Sequence, residues 1–249
     1  MRGFSAIAAI AAFAAAIAVV VAFVVLVSPS TAAAQQRVEL ELVLAIDAST
    51  SVDVDEYNLQ RTGIAEAFRH PQVLAAIDGL GEEGMAVAIV QWSGPRKQQM
   101  AVNWTHVNSR DKAYQLADRI DAMPRLMRGF TDIAGAITFA TAALETNNYN
   151  GRRLAIDVSG DGTSDRNDPA FARDLAVARG ITINGLVIHS IEYDLGDLAR
   201  YELRTHYRDR VIGGPGAFLL NAESFKTFAV SMREKLYREI SGPLFAGRL

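Results

Sequence analysis

The chain contains no cysteine. That absence excludes disulfides, a thiol nucleophile, thiolate metal sites and a lipoprotein anchor. Histidine is scarce as well: His70, His106, His189 and His206 stand far apart and offer no ligand pair for zinc. Lysine occurs four times among 25 basic residues, and the formal net charge is −3. The basic excess of a nucleic-acid binder is therefore missing. No G-x-S-x-G elbow and no P-loop string occur, so the signatures of serine hydrolysis and nucleotide binding are absent. Beyond residue 37 there is no internal repeat and no low-complexity stretch. With 249 residues, half of them hydrophobic, the chain can still bury a full core.

Long apolar runs are confined to the N-terminus. Arg2 supplies a positive n-region, Phe4 to Val27 is almost unbroken Ala, Val, Ile and Phe, and Ser28-Pro29-Ser30-Thr31 breaks that helix. Ala32-Ala33-Ala34 then offers a small-residue cleavage site, so residues 1–34 read as a signal peptide. The alternative is an uncleaved anchor, since the apolar run is long enough to span a bilayer. Either reading exports the rest of the chain, to the periplasm or to the periplasmic side of the inner membrane. Residues 35–37 form a polar lead-in, 38–241 a domain, and 242–249 a C-terminal tail.

Within the domain, apolar and polar periods alternate. Val38 to Ile46 begins with period two and becomes continuously apolar, as a strand does on entering a sheet. Asp53 with Glu56 is a capping-box helix start, predicting a helix to about Phe68 and a short continuation over 72–77. Met85 to Trp92 is a second strand, Ser93-Gly94-Pro95 a turn, and Gln99 to Trp104 a third strand. So short a link permits only an antiparallel hairpin, which places that strand at an edge. Helices follow over 111–123 and 131–144, a strand over 154–158, and a helix opened by Asp168-Pro169 and closed by Gly180. Ile181 to His189 is a fifth strand, 196–205 a helix and Ala217 to Leu220 a short sixth strand. Phe225, Phe228, Met232, Leu236 and Ile240 mark a final amphipathic helix. The order implies an α/β fold: a three-layer, doubly wound, mostly parallel six-stranded sheet with one antiparallel edge strand. In such folds ligands bind beyond the C-terminal strand ends, near the topological switch point.

The end of the first strand is where chemistry enters. Asp47-Ala48-Ser49-Thr50-Ser51 presents a carboxylate and two hydroxyls at i, i+2 and i+4. Oxygen donors without His or Cys suit a hard cation such as Mg²⁺. Neutral hydroxyls leave that cation most of its charge, so it still attracts an anion. A second loop, Gly129-Phe130-Thr131-Asp132, precedes a helix. A third, Ser159-Gly160-Asp161-Gly162, leaves the fourth strand. In these three loops the sequence resembles the von Willebrand factor type A domains, whose metal-ion-dependent adhesion site combines D-x-S-x-S, a G-x-T threonine and a D-G aspartate. The resemblance covers residues 38 to 241. Ile156 to Gly162 and Val211 to Phe218 are also similar to an uncharacterised bacterial subgroup of exported proteins in that family.

The resemblance implies that Ser49 and Ser51 ligate the metal directly, that Asp47 and Asp161 act directly or through water, and that Thr131 binds in the ligand-engaged state. It implies Mg²⁺, with Mn²⁺ or Ca²⁺ as alternatives, and a protein partner whose Asp or Glu carboxylate completes the octahedron. The expected function is thus adhesion-type protein binding rather than catalysis. Two alternatives stay open: a metal-assisted hydrolase, and a domain whose metal is purely structural. Asp157, inside the fourth strand, bears on the first. It reads either as a buried acid bonded to backbone or to an arginine such as Arg153, or as a group orienting the metal's waters. Asp132 reads as helix N-terminal stabilisation, and Asp165 and Asp168 are candidates to extend the acidic site, Asp168 being better explained as an N-cap. Trp92 and Trp104 read as strand-end packing or as partner contacts.

Overall fold

The computed structural model describes residues 35–164, 167–189 and 196–242. The proposed leader, Asp165 and the tail after Gly242 lie outside the described residues. The elements run β1 (Gln36–Asp47), α1 (Val54–Arg69), α2 (Pro71–Asp78), β2 (Met85–Trp92), β3 (Gln98–Val107), α3 (Arg110–Asp121) and α4 (Ile133–Glu145). They continue with β4 (Tyr149–Gly160), α5 (Pro169–Val177), β5 (Ile181–Ile188), α6 (Gly196–His206), a π-helical turn (Tyr207–Val211), β6 (Leu219–Ala222), a 3₁₀ turn (Phe225–Thr227) and α7 (Phe228–Ser241).

The strands form one sheet in the order β3-β2-β1-β4-β5-β6. All neighbours are parallel except β2 and β3, as the short Ser93–Lys97 link requires. From β1 the chain winds outward twice, first through β2 and β3, then through β4, β5 and β6. The switch point therefore lies between β1 and β4.

Strand alternation sends side chains to two separate cores. Leu40, Leu42, Leu44 and Ile46 of β1 face α1, α2, α3 and α7, whereas Val43 and Ala45 face α4, α5 and the π-helical turn. The predicted stripe on α7 is fully buried, with Phe228, Met232, Leu236 and Ile240 at 0–1% exposure. Each such side chain contributes about 1.5–3 kcal/mol by leaving water. Helix starts follow their capping chemistry. Asp53 and Glu56 make both capping-box bonds, at 2.7 and 2.9 Å. Asp168 caps α5 through the Ala170 amide at 3.0 Å. Asp132, rather than Thr131, caps α4 through the Gly135 amide at 3.1 Å.

Several boundaries differ from the sequence reading. Strand β4 starts at Tyr149, five residues earlier than its apolar run, because Gln36 to Val38 of β1 extend the pairing with it. Strand β6 starts at Leu219 rather than Ala217, in register with Gly185 of β5. The edge strand β3 runs on to Val107, and its pairing with β2 shifts register around Ile89.

Candidate metal centre

The three loops meet at the C-terminal ends of β1 and β4, at the switch point. The turn after Asp47 is folded by its own carboxylate: the Ser49 amide donates to Asp47 Oδ1 at 2.7 Å. That bond turns both serine hydroxyls to one side. Ser49 Oγ lies 3.0 Å from Ser51 Oγ, and Ser51 Oγ donates to Asp161 Oδ1 at 2.8 Å. The second loop is tied to the first, since both the amide and the hydroxyl of Thr50 donate to Gly129 O, at 2.8 and 3.0 Å. It is also tied to the end of β2, through the Asp132 amide and Ser93 O at 3.0 Å. The third loop lies against Thr131, because a Cβ built on Gly162 would fall 3.7 Å from Thr131 Oγ1. All five predicted oxygen-bearing residues, Asp47, Ser49, Ser51, Thr131 and Asp161, are thus brought together.

Their electrostatics show what the cluster lacks. Asp47 is fully buried, and its Oδ2 meets no hydrogen-bond partner among the described residues. Burial, then the neighbouring Asp161 charge, push the Asp47 carboxyl up from its ordinary 3.8 to about 8, against the opposing bonds from Ser49 and from the Asp161 backbone. Burial raises Asp161 as well. Two carboxylates and three hydroxyls, with an orphaned inner oxygen and no ammonium or guanidinium bonded to either acid among the described residues, fit a hard divalent cation. The floor of the cluster is equally close. A Cβ on Gly160 would stand 2.8 Å from Asp47 Oδ2 and 2.7 Å from the hydroxyl of Tyr207, so only glycine lets the third loop pass.

One residue that shapes this site went unnoticed in the sequence. Arg125, just after α3, donates from Nη2 to Ala48 O, Ser49 O and Val52 O at 3.0, 2.7 and 2.8 Å, and from Nη1 to Asp53 O at 3.1 Å. Its guanidinium therefore holds the carbonyls of the D-x-S-x-S turn while the carboxylate and hydroxyls face the other way. Gln91 positions Arg125 in turn, accepting from the Leu126 amide at 2.7 Å and donating to Pro124 O at 2.8 Å. Burial and the nearby Arg128 charge lower the Arg125 pKa, against the pull of Asp47.

Other candidates lie elsewhere. Asp157 does not pair with Arg153 and does not reach the loops. Its carboxylate faces α7, 2.9 Å from the buried Lys235 Nζ, which also donates to Glu239 Oε1 at 2.9 Å. Burial and the Glu239 charge push Asp157 up to about 8, opposed by Lys235. Arg153 instead caps the end of α7, donating to Glu239 O and Ile240 O at 2.7 and 2.8 Å. Asp168 pairs with Arg210 at 2.7 Å, outside the cluster. Trp92 is fully buried and Trp104 packs on Tyr149 with ring centroids 6.2 Å apart. A cavity of about 770 Å³ opens at the other end of the sheet, beside Leu154, Thr182 and Glu239, and includes none of the five oxygens.

This chain belongs to the family described as "Protein of unknown function (DUF1194)", which matches residues 37–244. No curated protein matches it in sequence. The fold is that of a von Willebrand factor type A domain. The pilus adhesin SpaC from Lactobacillus rhamnosus GG superimposes with a TM-score of 0.60 at 13% identity, over 82% of this chain and 30% of SpaC. Proximal thread matrix protein 1 from the mussel byssus, in a structure with a zinc-occupied MIDAS motif, gives 0.54 at 14% identity, over 82% of this chain and 46% of that protein. The vWF domain of the type V pili tip protein Mfa5 from Porphyromonas gingivalis gives 0.54 at 12% identity, over 80% and 94%. The chain thus spans about a third of SpaC and about half of the byssus protein. Among the described residues no helix is long and apolar enough to cross a membrane.

Proposed function

We propose that this domain captures protein partners through one divalent cation held by Asp47, Ser49, Ser51, Thr131 and Asp161, with Mg²⁺ the expected ion and Mn²⁺ or Ca²⁺ the alternatives. The observation that supports the reading is the convergence of five oxygen-bearing residues from three loops around a buried Asp47 Oδ2 that meets no hydrogen-bond partner among the described residues. A bound divalent cation would supply positive charge to the two acids and keep affinity for an acidic side chain of the partner. Ser49 and Ser51 would offer neutral oxygens, so that the acids do not cancel the ion's charge. Thr131, on the loop tied to Thr50, would add its hydroxyl when a partner engages. Asp47 and Asp161 would anchor the ion from below, directly or through water. The leader-like residues 1–34 support an exported, periplasmic or membrane-anchored location for this activity.

A hydrolytic reading needs a base beside the ion, and Asp157, the residue considered for it in the sequence, sits in the core against Lys235. The adhesion-type reading is tested by calorimetric titration of Mg²⁺ into the wild type and Asp47→Ala. The variant should keep its circular dichroism spectrum and lose the binding isotherm. An unchanged titration would count decisively against the assignment. A metal that only tied the loops together would raise the melting temperature without conferring Mg²⁺-dependent, chelator-sensitive binding of an acidic peptide.

A further inference from the structure

Next to the cluster, the β2–β3 hairpin tip and the segment leading into Thr131 form one surface. The Lys97 amide donates to Gly94 O at 3.0 Å across Pro95 and Arg96, a tight turn with proline at its second position. Arg96, at the third, has φ 59°, a left-handed conformation that glycine or asparagine adopts at far lower cost. It is the one non-glycine residue with positive φ among the described residues. An arginine kept where the turn favours glycine is a strained residue, and strain of this kind collects at binding sites. The turn does not stand alone. Lys97 Nζ donates to Arg128 O at 3.0 Å, and Cβ atoms built on Gly94 and Gly129 would lie 3.3 Å from Phe130 N and 3.4 Å from Lys97 Cδ. Arg96, Lys97 and Arg128 are all exposed, and Phe130, immediately before Thr131, is 59% exposed. Among the described residues none of the three cations meets a carboxylate.

We propose that this surface sets partner specificity, and that the partner is a protein segment in which the metal-directed acid is flanked by a second acidic residue and an apolar side chain. The inference rests on the metal-site reading. Arg96 and Arg128 pair with the flanking carboxylate, and Phe130 packs against the apolar side chain beside the ion. Charge complementarity chooses the occupant: three exposed cations that meet no carboxylate among the described residues stand on the two segments beside a site proposed to take an anion.

The probe is a fluorescein-labelled peptide with a central Asp flanked by Leu and two Glu, compared with a peptide in which both Glu are Gln. Binding is read by anisotropy in millimolar Mg²⁺ and in EDTA. Arg96→Asn should melt at or above the wild-type temperature, because the strained position is relieved, yet bind the acidic peptide about fivefold more weakly. The Gln peptide should bind both proteins equally, and Phe130→Ser should weaken both peptides. Equal affinity of the two peptides, or no effect of Arg96→Asn, overturns the proposal while leaving the metal reading intact, and so does failure of both peptides to bind a protein that Mg²⁺ stabilises. Absence of any Mg²⁺ effect on the wild-type melting temperature sinks the metal reading itself. Capture of anionic phospholipid vesicles in EDTA, lost in Arg96→Asn, would assign the surface to a membrane and overturn the peptide proposal.

Discussion

Strand β4 carries Asp157, and Asp161 follows its last residue; the two acids have opposite fates. Asp157 shares its environment with Glu239, and Asp161 shares its own with Asp47. For Asp157 and for Asp47, burial and a second carboxylate make ionisation unfavourable. To the first pair the chain supplies a cation of its own, Lys235, buried at 0% exposure and held over the Phe218 ring at 4.9 Å. To the second, none is supplied among the described residues: the Arg125 guanidinium turns its donors to backbone carbonyls. A carboxylate pair with a tethered ammonium is a finished internal joint. A pair with no such cation among the described residues, at the rim of the same sheet, is where we propose that a cation from solution binds.

The contrast can be broken at its strongest point first. Lys235→Met strands two buried acids and should cost about 3–5 kcal/mol of stability, measured by urea denaturation. Adding Asp157→Asn and Glu239→Gln to that variant should restore much of the loss. A cost below about 1 kcal/mol would place the Lys235 cluster among ordinary surface ion pairs and erase the distinction.

Arg125→Lys probes the other side. The positive charge stays, but a single ammonium cannot reach the carbonyls that the planar fork serves. We expect roughly tenfold weaker Mg²⁺ binding by calorimetry, with a stability loss of about 1–3 kcal/mol from carbonyls left unsatisfied. Unchanged Mg²⁺ affinity would show that the clamp supports the fold without shaping the site.

A further test of the Asp157 cluster uses pH. Asp157 holds its proton to about pH 8 in the folded chain and only to its ordinary 3.8 when unfolded. Between those values the folded state binds more protons, so the contribution of Asp157 to stability falls as pH rises from about 4 to 8 and is level above. Wild-type stability should therefore decline more steeply across that window than that of Asp157→Asn, in parallel chemical denaturation series. Parallel slopes would mean that Lys235 keeps Asp157 ionised throughout.

The sequence disclosed those parts that rest on period and spacing. Strand alternation, the Asp53–Glu56 capping box and the α7 stripe each follow from local rules, and the order of elements then places the three loops at one sheet end. Lys235 was hidden for a physical reason. A lysine beside Leu236 on an amphipathic helix ordinarily reaches water, and its burial is tolerable because Glu239 one turn on and the distant Asp157 both face its ammonium. Asp157 stands out in the sequence as an acid inside an apolar strand, but the partners read for it there are backbone, an arginine such as Arg153 or the metal's waters, and not Lys235. Arg125 left no pattern at all, since its partners are backbone carbonyls, which every residue possesses. The turn at Arg96 was legible as a turn through Gly94-Pro95, whereas its left-handed residue, falling on an arginine, was not.

One feature of the sheet bears on how copies of this domain coexist. At one margin β3 pairs irregularly with β2, its register slipping on both sides of Ile89, and at the other β6 is only four residues long. Irregular and abbreviated borders make poor templates for another chain's backbone. Crowded molecules therefore have little means of zipping side to side into fibrils through either margin of the sheet.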